Sequence, residues 1–192
     1  MRFLRVLVGG VVAAGAGLVA APASAAPATA NVLQLGIGFR YGVDLTSGDT
    51  VNPWGVGLGL DGGYTLSNAV FLGGSVEYFF GEHIGDDTNG ASANLWQLSA
   101  EGGYDIGSGG VVLRPKLGVG LANVNEKSCA PAPTDIAVSA CSSDTKTDFA
   151  LLPGATFIVM SPGFSVTADV RYELVFASQI GQGLLFTLGV GF

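Results

Sequence analysis

The chain has 192 residues, only 12% of them charged against about 25% in an average globular domain, and its fifteen acidic and eight basic side chains leave a net charge of −7. That balance excludes the basic footprint of a nucleic-acid binder, and one histidine with two cysteines indicates neither a metal centre nor a cofactor. So apolar a chain, with no long apolar run after residue 25, implies that lipid is part of its solvent.

The first segment, MRFLRVLVGGVVAAGAGLVAAPASA, places Arg2 and Arg5 before an apolar run from Val6 to Ala21 and ends on Ala23-Ser24-Ala25. This is the order of a secretory signal cut after Ala25, and its Gly/Ala-rich run is shorter than the roughly 20 residues that a membrane helix prefers. One mature domain, 26–192, is expected, with six basic and fifteen acidic residues.

Eight segments of the mature chain alternate apolar and polar residues with period two. The first, 33–41, sends Leu33, Leu35, Ile37, Phe39 and Tyr41 to one face and Gln34 and Arg40 to the other. The second, WGVGLGLDGGY at 54–64, contains Gly57-x-Gly59-x-x-Gly62, the spacing of a dinucleotide-binding loop. Such a loop must join a strand to a helix. Here Gly55, Gly57, Gly59 and Gly63 alternate with Trp54, Val56, Leu58 and Leu60 along what reads as a strand, with Asp61 on the glycine side.

The third, 70–80, puts Glu77 inward, and the fourth, 96–105, turns Gln97, Ser99, Glu101 and Asp105 away from Trp96 and Leu98. The fifth, 111–121, sets Arg114 and Lys116 against Leu113, Pro115 and Leu117. The sixth, 149–157, is the weakest, because Leu152 falls on its inner face. The seventh, 164–172, places Asp169 and Arg171 opposite Val166, Ala168 and Val170, and the eighth, 184–192, ends on Phe192. Every charged residue of the eight segments thus shares the inner face. Lipid enforces that sorting, since Arg or Lys at the bilayer midplane costs about 2 to 4 kcal/mol.

Outward aromatics mark two rims, one of Tyr41, Trp54, Phe80, Trp96, Phe149 and Tyr172, the other of Tyr64, Tyr104, Phe157, Phe164 and Phe192. Short connections (TLSNA, IGSGG, IVMSPG) alternate with long ones, the asymmetry of periplasmic turns and extracellular loops. The expected fold is all-β, an eight-stranded antiparallel up-and-down transmembrane β-barrel. The signal, the eight strands, the inward Arg and Glu residues and the terminal LLFTLGVGF resemble the small outer-membrane β-barrels of Gram-negative bacteria, the OmpA-like and OmpX-like group. The resemblance spans essentially the whole mature chain. It implies an integral outer-membrane location, lipid and lipopolysaccharide as surroundings, and handling by periplasmic chaperones and the barrel-assembly machinery. In that reading Phe186, Leu188, Val190 and Phe192 form the assembly signal.

A barrel of eight strands encloses just enough space for side chains. Arg40, Asp61, Glu77, Glu101, Asp105, Arg114, Lys116, Asp169 and Arg171 are therefore expected to form a mutually paired network filling the lumen. Cys129 and Cys141, in the longest connection of an exported protein, favour a disulfide. The expected role is structural or surface-interacting, through extracellular loops with an unidentified ligand. A narrow, porin-like channel for small or hydrophobic solutes is the second reading. A lipid-modifying enzyme using His83 and Ser92 is the third, without triad-like spacing to support it. Asp86 and Asp87 lack the ligand spacing of a calcium loop.

Overall fold

A strand with one face for lipid must pair both of its edges, because hydrocarbon offers no partner for an open N–H or C=O. The computed structural model describes residues 29–30, 32–46, 51–85, 90–130, 140–177 and 180–192; the expected signal peptide, with Asp86 and Asp87, lies outside these residues. Ten strands follow in order: β1 (Leu33–Asp44), β2 (Gly55–Thr65), β3 (Val70–Phe79), β4 (His83–Gly85), β5 (Gly90–Tyr104), β6 (Ile106–Ser108), β7 (Val111–Ala130), β8 (Ala140–Ser161), β9 (Phe164–Phe176) and β10 (Ile180–Gly191).

Two of them are continuations rather than staves. β4 prolongs β3 along β5, its register shifted by one residue after Gly81, whose φ of 62° makes the kink. β6 prolongs β5 beyond Asp105 in unchanged register with β7. The remaining eight run antiparallel in the order β5-β3-β2-β1-β10-β9-β8-β7, and pairing of β5 with β7 closes the sheet. The fold is the expected eight-stranded barrel.

Register fixes its size. Tracing partners once round from Leu35, through Gly62, Gly74, Ala100, Val119, Leu151, Leu174 and Gln182, returns to β1 at Leu45, ten residues further along. With strands about 4.8 Å apart and a rise of about 3.3 Å per residue, that stagger gives a tilt of about 40° and a backbone radius of about 8 Å. Side chains from opposite walls must therefore meet at the axis.

The outer face carries the apolar belt: Leu35, Ile37, Phe39, Leu58, Leu60, Leu117, Val119, Phe186 and Leu188 are among its exposed residues. Tyr41, Phe80, Trp96 and Phe149 face outward at the long-loop rim, and Tyr64, Tyr104, Phe157, Phe164 and Phe192 do so at the short-turn rim.

Trp54 departs from the expected pattern. It is only 3% exposed and points into the lumen, because Gly55 at φ 63° reverses the alternation where the chain enters β2. The strands also outrun the alternating segments at the long-loop end: β5 begins at Gly90 instead of 96, β7 continues to Ala130, and β8 starts at Ala140. Beyond the lipid nothing enforces apolar alternation, whereas ladder hydrogen bonds still favour pairing. The β7–β8 ladder accordingly extends nine further pairs, from Ala122↔Asp148 to Ala130↔Ala140.

Candidate functional site

Inner-face residues arrive in the lumen in three layers. At the short-turn end, Arg114 on β7 holds Asp105 through two hydrogen bonds, Nε to Oδ1 at 2.5 Å and Nη2 to Oδ2 at 2.9 Å. Thr29 and Thr65 donate to the same Oδ2 at 2.5 and 3.0 Å, and Arg114 also reaches Gln34 at 3.1 Å while stacking 3.6 Å from the centre of the Phe71 ring. Thr29 thus ties the chain ahead of β1 across this end of the barrel.

The middle layer is a continuous ion-pair network. Arg40 binds Asp61 at 2.6 Å and approaches Glu77 at 3.3 Å. Arg171 pairs with Glu77, with Asp169 at 2.7 Å and with Glu101 at 3.3 Å. Lys116 bridges Glu101 at 2.8 Å and Asp169 at 3.0 Å, and Thr156 donates to Asp169 at 2.6 Å. Glycine makes room for this layer: a Cβ on Gly59 would stand 2.7 Å from the Arg40 guanidinium. Gly59 of the glycine-rich second segment, with Gly38 on β1, therefore seats an arginine. All nine residues expected on the inner face lie in these two layers.

Above them lies a layer that the expected network lacks. Glu173 is fully buried and accepts hydrogen bonds from Trp54 Nε1 at 2.7 Å and Gln97 Nε2 at 2.8 Å. Around it Trp54, Phe79, Leu95, Ala122, Ala150, Leu152, Val175 and Leu185 form one buried apolar cluster. Glu173 stands one residue past the seventh segment, so the alternation carried one step further puts it inside. Leu152, the misfit of the sixth segment, belongs to this cluster.

Among the described residues two cavities adjoin these layers. The lower, of about 70 Å³, is lined by Gln34, Asp61, Glu101, Lys116, Asp169 and Thr187 together with Leu35, Phe71, Ile158 and Val190, so the ion pairs border a space large enough for water. The upper, of about 270 Å³, opens at the long-loop end between Asp44, Trp54, Glu126, Asp144, Asp148 and Val175. On its wall Lys146 holds Asp144 at 2.8 Å. That hydrogen bond, with the charge behind it, lowers the Asp144 carboxyl from its ordinary pKa and raises the Lys146 ammonium, so both are charged at neutral pH.

Cys129 and Cys141 face each other across β7 and β8 and form a disulfide near the end of that hairpin. His83 and Ser92 are opposite one another in the β4–β5 ladder, with His83 exposed to solvent on its three-residue strand. Phe186, Leu188, Val190 and Phe192 project from the outer face.

The outer membrane protein beta-barrel domain family matches residues 11–192. The chain belongs to that family. Among solved structures the outer-membrane barrel is similar to the attachment invasion locus protein Ail of Yersinia pestis, at 20% identity and a TM-score of 0.53, covering 83% of this chain and 95% of Ail. Ail in complex with the heparin analogue sucrose octasulfate gives 18% identity and a TM-score of 0.52 over the same shares. The N-terminal β-barrel domain of Pseudomonas aeruginosa OprF follows at 19% and 0.47, covering 83% of this chain and 97% of that domain. No curated protein matches the sequence. The barrel is an integral outer-membrane protein, and in such barrels the short turns face the periplasm and the long loops the exterior.

Proposed function

We propose that this outer-membrane barrel is closed to solutes and acts at the cell surface through the sheet that β4, β5, β7 and β8 raise above the membrane. The observation that carries the reading is the β7–β8 hairpin. Its nine ladder pairs beyond the rim, at about 3.3 Å per residue and a tilt of about 40°, rise roughly 20 Å, and the Cys129–Cys141 disulfide ties its end. β9 parts from β8 at Phe149↔Phe176, so among the described residues the far edge of β8 above Phe149 has no strand neighbour. An open edge with unspent N–H and C=O groups favours addition of a partner strand.

Charge narrows the partner. The long-loop connections hold nine acidic residues (Asp44, Asp49, Glu82, Asp86, Asp87, Glu126, Asp135, Asp144, Asp148) against Lys127 and Lys146. Ail was solved with a polysulfated ligand; this surface would repel one and favours a basic partner. Membrane lipid and lipopolysaccharide surround the belt in this reading. Periplasmic chaperones and the assembly machinery would take up the outward Phe186, Leu188, Val190 and Phe192 during insertion. The three filled layers favour a closed lumen over a channel, and the exposed His83, which has no buried acid to orient it among the described residues, favours binding over catalysis.

Proteoliposomes carrying the full barrel, and a variant with residues 123–147 replaced by a two-residue turn, should be compared for retention on epithelial cell monolayers. The full chain is expected to be retained and the truncated one lost, with both keeping their heat-dependent gel mobility. Equal retention of the two would sink the reading.

A further inference from the structure

The open edge of β8 carries its charges in a fixed order. Above Phe149 the strand reads Ser142, Ser143, Asp144, Thr145, Lys146, Thr147, Asp148, and among the described residues this stretch pairs with β7 alone. Period two divides the side chains between the two faces. Asp144, Lys146 and Asp148 line the upper cavity. Thr145 and Thr147 turn the other way, where Thr145 Oγ1 donates to Asn125 Oδ1 at 3.3 Å and Asn123 Nδ2 to Thr147 Oγ1 at 2.6 Å. One face of the edge thus offers minus, plus, minus at two-residue intervals, and the other offers hydroxyls.

These charges are incompletely matched within the chain. Asp144 stands directly opposite Glu126 in the β7–β8 ladder, a like-charge pair that a sheet disfavours. Lys146 holds Asp144 at 2.8 Å, and Asp148 has no ion pair among the described residues. Antiparallel pairing with β7 leaves the N–H and C=O groups of alternate β8 residues pointing to the open side. An added strand gains those backbone bonds whatever its sequence, so its side chains decide which strand is taken. Charges on an edge ordinarily deter unselected partners. Here their order turns the deterrent into a filter, because opposite charges across a strand pair attract and like charges repel.

We propose that the β8 edge selects an extended peptide segment whose alternate residues read basic, acidic, basic, with small hydroxyl-bearing residues between them. The two basic side chains stand opposite Asp144 and Asp148, and the acidic one opposite Lys146. The order is symmetric about Lys146, so a strand of either direction satisfies it. A uniformly basic segment does not, since it sets a like charge against Lys146. The selection rests on strand addition at this edge, as proposed for the surface sheet, and specifies which strand is added.

The test titrates the full barrel, isotope-labelled for amide NMR in lipid nanodiscs, with two peptides of identical composition. Lys-Thr-Glu-Thr-Lys-Thr-Ser meets Asp144, Lys146 and Asp148 with opposite charges, whereas Lys-Thr-Lys-Glu-Thr-Thr-Ser can match only one of them in any register. Both are expected to shift the amides of residues 142–148, the first at a concentration lower by about threefold or more, as two additional opposite-charge pairs imply. In Lys146→Asp the order reverses, because the second peptide's alternate lysines then face two acids. Heat-dependent gel mobility and the β7 amide positions check that this variant keeps its barrel and hairpin. Equal affinity of the two peptides for the parent chain, or an unreversed order in the folded variant, would overturn the selection and leave strand addition standing. No shift of 142–148 with either peptide would overturn strand addition at this edge and the selection with it.

Discussion

A single side chain shows how the lumen is built against the grain of its own strand. Alternation alone would send Trp54 to the lipid, where an interfacial tryptophan is at home. Gly55 at φ 63° turns it inward, and its N–H meets the buried Glu173 carboxylate at 2.7 Å. Replacing Trp54 by Phe keeps most of the ring but leaves Glu173 Oε2 without that donor. The expected cost is about 1 to 3 kcal/mol, read as a lower urea midpoint for unfolding from lipid vesicles. Glu173→Gln weakens the same contact from the other side. A double-mutant cycle should therefore return a coupling of at least about 0.5 kcal/mol; independent effects would mean that the two groups do not act as a pair. The inward charges, by contrast, were readable in the sequence. Lipid penalises Arg40, Arg114 or Arg171 on the outer face so heavily that period two reveals them. Trp54 was not readable, because an indole is tolerated on either side and its choice depends on room left by Gly42 and Gly183 on other strands, where a Cβ would stand 2.4 Å from Trp54 Cβ and 2.9 Å from its Cε2.

At the level of the strand the same physics sets where the pattern stops. Inside the membrane each strand has a lipid face and its alternation is legible, so all eight staves could be placed. Above the membrane both faces of the β7–β8 hairpin meet water, and the run Asn123, Asn125, Glu126, Lys127, Ser128 opposite Ser142, Ser143, Asp144, Thr145, Thr147 reads as a loop though it is a ladder. Polar strands that bury little have little besides hydrogen bonds to hold them, which gives the Cys129–Cys141 disulfide its importance. It joins residues 12 apart in sequence. In the chain-entropy account a loop of this size contributes about 3 kcal/mol. Cys129→Ser with Cys141→Ser is expected to leave the barrel's heat-dependent mobility intact while amide exchange across 123–129 and 141–147 accelerates by at least about tenfold, a fraction of that stabilisation. Unchanged exchange would show that the ladder is held by its own hydrogen bonds and that the disulfide is incidental to it.

For the molecule as a whole, the ten-residue stagger of an eight-stranded sheet leaves a cylinder of about 8 Å backbone radius, and what fills it decides whether solutes cross. Charge is partitioned accordingly: the lumen layers hold Arg40, Arg114, Lys116 and Arg171 with six carboxylates, while the other nine acidic residues lie in the long-loop connections. Two barriers of different character stand in series along the axis. The upper one is apolar, with Phe79, Leu95, Leu152 and Leu185 all fully buried. The lower one is ionic, with Arg40 and Arg171 both against Glu77. Water entering from the periplasmic cavity can reach the ion pairs but meets the apolar layer beyond them. The parent chain is therefore expected to be silent in a planar bilayer. Phe79→Ala with Leu152→Ala removes much of the upper barrier, at about 2 to 5 kcal/mol for each truncation, yet leaves the Arg40–Glu77–Arg171 bridge across the lumen. That variant should also be silent, and steady openings should arise only when the bridge is broken as well, as with Glu77→Ala added. Openings from the parent chain would mean that the layers rearrange within the membrane, and openings from the double variant would mean that the ion pairs alone do not block the lumen.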